Sequence, residues 1–327
     1  MTIRSKMYRL VPLVAAGTLT LLGGAATAQE VTLKAVNAFQ EGTYFARNFE
    51  RFVKKLNDEG KGVLQINYIG GPKAIPTFEQ PTAVRNGVVD MAATTTSFAA
   101  SVAPEGLALN YTDMNMAELR KSGAIDYLNG ALAERGLNYL GRTGEGVKYH
   151  IYLNKKIDKA DLTGLKLRTA PIYRDFFNKL GASVVQTAPG EVYTALERGV
   201  VDGYGWPLLG IFDLGWHEKT KYRLEPGFYA LELGVMMNLA ALKKLTPPQR
   251  EYLEKQVAWM ESQNADIGTK DAPAEIKKQA DAGIQVIKLD DTQAKILVKT
   301  ANDAGWATVI TASPNHGTKL RDMIAPK

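Results

Sequence analysis

Apolar and polar residues alternate over Val31-Thr-Leu-Lys-Ala-Val36, the period-two pattern of a strand with one buried face. The loop Asn37 to Thr43 follows. Phe45, Phe49, Phe52, Val53 and Leu56 then fall on one face of a helix that Gly60 ends, so the opening unit is strand then helix. The same reading predicts strands at Leu64–Ile69 and Val88–Ala92 with a helix at Phe78–Arg85 between them, then strands at Tyr139–Arg142, Val147–Leu153 and Leu165–Thr169. Helices at Tyr173–Leu180 and Glu191–Arg198 alternate with strands at Ser183–Gln186 and Val200–Tyr204, and a strand at Leu231–Asn238 comes after them. Thr246-Pro-Pro-Gln249 has capping-box spacing with proline at the first helical position, so a long helix begins there. Its polar continuation from Ser262 predicts an exposed helical stretch along both halves of the molecule. A strand at Ile284–Leu289 and a helix from Thr292 to about Ala304 close the pattern.

One unit occurs twice. Thr82-Ala-Val-Arg-Asn-Gly-Val-Val-Asp90 returns as Thr194-Ala-Leu-Glu-Arg-Gly-Val-Val-Asp202. Each copy reads as a helix end, a glycine suited to the left-handed cap, and a β-branched strand. Two such crossovers predict an α/β protein of two lobes with a cleft between the lobes and a long helix spanning both. The expected boundaries are residues 29–142 with 233–272 for lobe I, and 143–232 with 273–327 for lobe II.

Composition narrows the setting. Arg4, Lys6 and Arg9, an apolar run from Leu10 to Leu22, and Ala26-Thr-Ala28 form the three-part pattern of a secretory signal over residues 1–28, which predicts export to the periplasm. That apolar run is shorter than the roughly 20 residues a membrane span needs, and no later segment qualifies, so no stable insertion of the mature chain is expected. The formal charge of +6 falls to +3 without those three cations, and the remaining charges are interleaved, which argues against nucleic acid as a partner. The absence of cysteine excludes disulfides, a thiolate metal site and a thiol nucleophile. His150, His217 and His316 are scattered, and no HExxH, GxSxG or GxxxxGK[ST] pattern occurs, so no catalytic constellation is visible. Gly141-Arg-Thr-Gly144-Glu-Gly146 lacks dinucleotide spacing and reads as a hinge-side loop.

Binding chemistry is better represented. In Gly164-Leu-Lys-Leu-Arg168-Thr-Ala-Pro171 an arginine sits at a strand end before a proline-forced turn, where its planar fork can grip a carboxylate by two parallel hydrogen bonds. Superposing the repeats sets Thr94 opposite Trp206, so Thr94 and Thr95 offer hydroxyls on one wall and Trp206 an indole on the other. Asn37, Phe39, Tyr44, Tyr149, Tyr173 and Tyr204 are further polar and aromatic residues near predicted strand ends. This pattern suits a small carboxylate with an apolar or aromatic body, such as a 2-oxo or 2-hydroxy acid.

Asp161-Leu-Thr-Gly-Leu-Lys-Leu-Arg168, Leu180-Gly-Ala and Gly190-Glu-Val-Tyr-Thr-Ala-Leu-Glu-Arg-Gly-Val-Val-Asp-Gly203 resemble the solute-binding proteins of tripartite ATP-independent periplasmic (TRAP) transporters, DctP type. The resemblance runs over essentially the whole mature chain. It implies a periplasmic-binding-protein-like (type II) fold, that Arg168 clamps the ligand carboxylate, that Arg142 is a second ligand-facing arginine, and that the partners are membrane permease subunits. Many members carry Gln-Glu-Asn-Pro where this chain has Tyr204-Gly205-Trp206-Pro207. The tryptophan is similar to a branch that binds 2-oxo acids, sometimes with a cation, but Gly205 replaces that branch's glutamate. A ligand-bridging cation would therefore rely on Trp206 with Glu232, or on Glu145, as replacement; no other cofactor is expected. Two alternatives stand beside transport: an exported hydrolase or isomerase with Glu145 or Glu232 as general base, and a periplasmic receptor that signals on ligand closure.

Overall fold

The computed structural model describes Thr2 and residues 29–326; apart from Thr2, the expected leader lies outside the described residues. Among the described residues eleven strands form two sheets. The first holds β1 (Val31–Asn37), β2 (Leu64–Tyr68), β3 (Met91–Thr94), β4 (Leu137–Gly144) and β10 (Leu233–Asn238) in the order β2-β1-β3-β10-β4. The second holds β5 (Tyr149–Leu153), β6 (Lys166–Thr169), β7 (Ser183–Gln186), β8 (Gly203–Pro207), β9 (Tyr222–Glu225) and β11 (Gln285–Lys288) in the order β11-β9-β5-β8-β6-β7.

The sequence repeat is a structural repeat. In each sheet a central strand pairs in parallel with two neighbours, followed by two antiparallel pairings: β2-β1-β3-β10-β4 matches β7-β6-β8-β5-β9 strand for strand. Gly87 and Gly199 close the repeated helices at φ of 72° and 66°, left-handed values that L side chains rarely adopt. The two aspartates repeat the same contact. Asp90 N donates to Lys34 O and its carboxylate accepts from Lys34 N, at 2.8 and 2.7 Å; Asp202 does the same with Lys166 at 2.6 and 3.0 Å.

The chain passes between the sheets after β4 and returns before β10, and these two segments run side by side. Lys148 bridges Ala230, and Leu231 N donates to Val147 O at 2.8 Å. The spanning helix is two consecutive helices, Pro247–Asn264 and Ile267–Asp281. The first packs on helix Tyr44–Glu59 and β4. The second reaches the other sheet, where Gln279 accepts from Arg223 Nη1 at 2.6 Å and donates to Leu208 O at 2.8 Å. Thr246 makes the expected capping box with Gln249.

Other details also depart from the sequence reading. The glycine-rich stretch from Gly141 is not a loop: residues 141–144 finish β4, where the pairing with β10 is irregular at Leu233/Gly234. The strands of the repeats begin later than expected, at Met91 and Gly203, because the β-branched pairs before each aspartate belong to the turn; Val88 and Val200 are exposed. The last long helix runs on to Ala312 through Gly305, where a Cβ would come within 2.6 Å of Tyr111, so this glycine serves close packing and not termination.

Candidate functional site

Aligning Lys34 with Lys166 places Val36 of β1 at the position of Arg168 in β6, and both are fully buried. A valine meets the packing requirement there in the first sheet. The fold does not require the arginine in the second. Arg168 Nε and Nη2 both donate to Thr187 O, at 2.9 and 2.7 Å, which fixes the guanidinium plane. Nη1 is buried with no partner, and Cζ stands 5.5 Å from the Trp206 ring centroid. Burial without a counter-ion pulls the arginine pKa down to about 10, while Tyr173 and Tyr149 act in the opposite direction. The side chain still carries its charge at neutral pH. A charged donor held dry and only partly satisfied costs free energy that an incoming carboxylate would recover.

Tyr149 of β5 and Tyr173 flank this arginine, fully buried, with rings 5.5 Å apart. Burial raises the Tyr149 pKa, so it stays a neutral donor, and its hydroxyl interacts with Thr95 and Tyr173. Thr95 belongs to the other sheet's wall. Its Oγ1 lies 3.3 Å from Glu232 Oε2, which also accepts from Thr96 N and Thr96 Oγ1, each at 2.7 Å; Glu232 Oε1 accepts from the Tyr139 hydroxyl at 2.8 Å. A polar path therefore runs from Glu232 through Thr95 and Tyr149 to the surroundings of Arg168.

Trp206 closes the site. It sits in β8, and its ring packs against Phe39 and Phe45 of the first lobe at 6.4 and 5.6 Å. Its indole Nε1 is buried and unpartnered, as is Nδ2 of Asn37, whose Oδ1 accepts from Phe39 N at 2.9 Å. Thus Arg168, Trp206 and Asn37 each leave a donor unsatisfied. A cavity of about 490 Å³ opens beside Trp206, between the loop after β1 and residues 188–191 of the other lobe. Phe39, Phe45, Thr43, Gly210 and Asp213 contribute to its walls. Arg168 stands one residue back from it, against Trp206 and Thr187.

The remaining candidates sit elsewhere. Arg142 Nη1 is ion-paired with Glu145, Nη2 donates to Leu109 O at 3.1 Å, and Glu145 accepts from Met116 N at 3.1 Å. This buried pair is mutually neutralised and does not line the cavity. Thr94 Oγ1 donates to the neighbouring carbonyl of Thr95 at 3.3 Å. Tyr204 is stacked on Tyr152 at 5.0 Å and hydrogen-bonded to Thr220 at 2.7 Å, a packing position. Tyr44 donates to Asp271 at 2.8 Å.

A bridging cation finds little to hold it. A Cβ on Gly205 would come within 2.9 Å of Phe177 and 3.0 Å of Tyr173, so aromatic rings fill the space where a glutamate would stand. The Glu232 oxygens are occupied by four protein donors, and among the described residues no group of three or more acidic or histidine side chains is placed to hold a metal.

Two features of the site were not anticipated. Thr187 O positions the arginine, and its sequence signal is that Thr-Ala-Pro occurs where both β6 and β7 give out, at Thr169 and Thr187. Asp213 reaches across the cleft: its Oδ2 accepts from Tyr44 N at 2.6 Å and so caps the first helix of the other lobe, whose own Thr43 makes no side-chain cap.

Residues 36–309 match the profile of the DctP family, described as bacterial extracellular solute-binding protein, family 7. The chain belongs to this family. DctP proteins of the TRAP type are solute receptors, so the chain is a binding protein and not an enzyme. It is similar to a solute-binding protein of Albidiferax ferrireducens, 24% identical over 86% of this chain and 87% of that protein. It is also 28% identical, over 64% of its own length, to the uncharacterized protein y4mM of Sinorhizobium fredii, and the match spans 38% of that longer relative. Among solved DctP structures, the Bordetella pertussis receptor DctP6, which binds pyroglutamic acid, superposes with a TM-score of 0.79 at 18% identity, over 90% of this chain and 99% of that one. A Pseudoalteromonas atlantica TRAP solute-binding protein with bound sodium and pyruvate gives 0.77 at 20% identity, over 90% and 93%. These likenesses establish the two-lobed fold. Among the described residues no helix is long and apolar enough to cross a membrane.

Proposed function

We propose that the chain is a periplasmic receptor that captures a small organic acid with Arg168 in the cleft and delivers it to the membrane subunits of a TRAP permease. The observation that carries this reading is the buried guanidinium with an unpartnered Nη1 and no acid beside it, at a position where the repeated unit needs only a valine. Trp206 Nε1 and the Tyr149 and Tyr173 hydroxyls are further donors near the same point, a set suited to an anion. Phe39, Phe45 and Trp206 would cover an apolar or planar body. The sizes of pyroglutamic acid and pyruvate, held by two structural neighbours, agree with this.

The lobes would divide at residues 29–142 with 233–272 and 143–232 with 273–327, and the paired segments between the sheets would act as the hinge. In the open form the cleft exposes Arg168 to solvent. Ligand bridges the lobes only when they close, so it shifts the population toward the closed form by the contacts made there alone. Closure also brings Asp213 onto the helix at Tyr44, and the closed outer surface is what the permease would read.

A thermal-shift screen against monocarboxylic, dicarboxylic, 2-oxo and 2-hydroxy acids tests the reading, because a ligand bound only by the native state raises the melting temperature. A rise with at least one acid that disappears in Arg168→Gln is the expected outcome. A panel without any response contradicts it.

A further inference from the structure

We propose that the cleft accepts organic anions of a single negative charge and rejects the matching dicarboxylates, with Glu232 as the specificity-determining residue. This rests on Arg168 being the carboxylate clamp.

Among the described residues three arginines are buried: Arg142, Arg168 and Arg223. Arg142 is paired with Glu145, and Arg223 Nη2 lies 3.0 Å from Glu225. Of these three only Arg168 has no acid partner, so the site supplies one uncompensated buried cation for a ligand carboxylate. Against it stands one fully buried acid with no direct cation partner. Glu232 receives its hydrogen bonds from neutral donors, the hydroxyls of Thr95, Thr96 and Tyr139 and the Thr96 N–H.

These two opposite charges flank the same side chain. Tyr149 borders Arg168 on one side and interacts with Thr95, itself bonded to Glu232, on the other. A carboxylate seated on Arg168 is attracted directly. A second carboxylate on the same ligand meets no unpaired buried cation in either direction. Toward the first lobe it approaches Glu232 in a water-poor region, where like charges repel strongly. Toward the cavity it meets a wall with Glu41, Glu191 and Asp213 against Lys73 alone. The far end of the ligand is therefore neutral or positively charged.

Isothermal titration with skeleton-matched pairs that differ by one charge tests this: malonate against malonamate, succinate against succinamate and glutarate against glutaramate, with pyruvate and pyroglutamate as reference monoanions. The half-amides keep the shape and one carboxylate. They are expected to bind more tightly than the diacids by on the order of a hundredfold. In Glu232→Gln, which keeps an acceptor oxygen and removes the charge, that gap narrows at least about tenfold through gain of diacid affinity. A wild-type protein that binds a diacid as tightly as its half-amide overturns the charge rule while leaving the clamp intact. An unchanged gap in Glu232→Gln removes Glu232 from the role. If no acid of either charge binds, the clamp reading itself fails, and this proposal with it. Should Glu232→Gln not fold, the wild-type comparison still decides the charge rule.

Discussion

Arg168→Gln separates a ligand clamp from a structural cation. The substitution removes the charge, and the new amide can still donate toward Thr187 O, which now accepts from Nε and Nη2. Leaving a ligand carboxylate without its buried partner costs about 2–5 kcal/mol. At about 1.4 kcal/mol per decade, affinity falls roughly 30-fold to several-thousand-fold. Stability moves the other way. The ligand-free fold holds this guanidinium dry and without an acid, and Nη1 contributes no hydrogen bond that its loss would remove. The variant therefore melts no lower than the parent, and relief of about 1 kcal/mol would raise the midpoint by a few degrees in a protein of this size. Isothermal titration with the acid giving the largest thermal shift measures the first effect, and scanning calorimetry of ligand-free protein the second. A residue kept for the fold would lower both; a clamp lowers affinity alone. Unchanged affinity, or a fall in affinity matched by a fall in midpoint, refutes the reasoning.

Three other perturbations follow from the same geometry. His150 is buried with Nδ1 on Leu224 O at 3.1 Å, and burial lowers its pKa despite Glu225 at 3.7 Å, with Arg223 adding to the lowering. The fold thus favours neutral imidazole, and this stability is present above the unfolded value of about 6.5 and is lost as pH falls through it toward the lower folded value. The melting temperature should drop more steeply from about pH 7 to 5 in the parent than in His150→Gln, and parallel curves would contradict this. Asp213→Ala removes the cap that crosses the cleft to Tyr44 N, worth about 0.5–2 kcal/mol. Affinity should weaken roughly 2-fold to 30-fold by titration, and no change would mean that closure does not use this contact. Gly87→Ala and Gly199→Ala each force a side chain into left-handed backbone, costing roughly 1–2 kcal/mol in urea melts. Losses that differ widely between the two would show that the lobes do not use the repeat in the same way.

The sequence is most legible where one local rule acts alone. The glycine caps of the repeated unit, the Thr246 capping box and the β7 strand stand as expected because a cap conformation or a period-two pattern decides each of them. Legibility fails where tertiary packing overrides the local rule. Gly305 resembles a helix stop, but Tyr111 requires its missing side chain. β9 escapes the pattern because its Arg223 is buried against Gln279 of a distant helix and Glu225 at the end of its own strand. Between Phe98 and Leu137, Asn115 and Glu118 form a capping box that opens a helix at Met116, and Ile125, Leu128 and Leu132 mark one face of another; both signals were present but short. At the site, Arg168 and Trp206 are readable because an arginine and an indole at strand ends stand out chemically. The pairing of Arg142 with Glu145 and the hold of Thr187 O on Arg168 depend on side-chain direction, which spacing does not encode.

The most direct test of the account is a crystal structure with the acid that binds best in the screen. The account predicts closed lobes with the ligand carboxylate about 2.7–2.9 Å from Arg168 Nη1 and its body against Trp206 and Phe39. An acid seated elsewhere, with Arg168 Nη1 still unpartnered beneath Trp206, would contradict it.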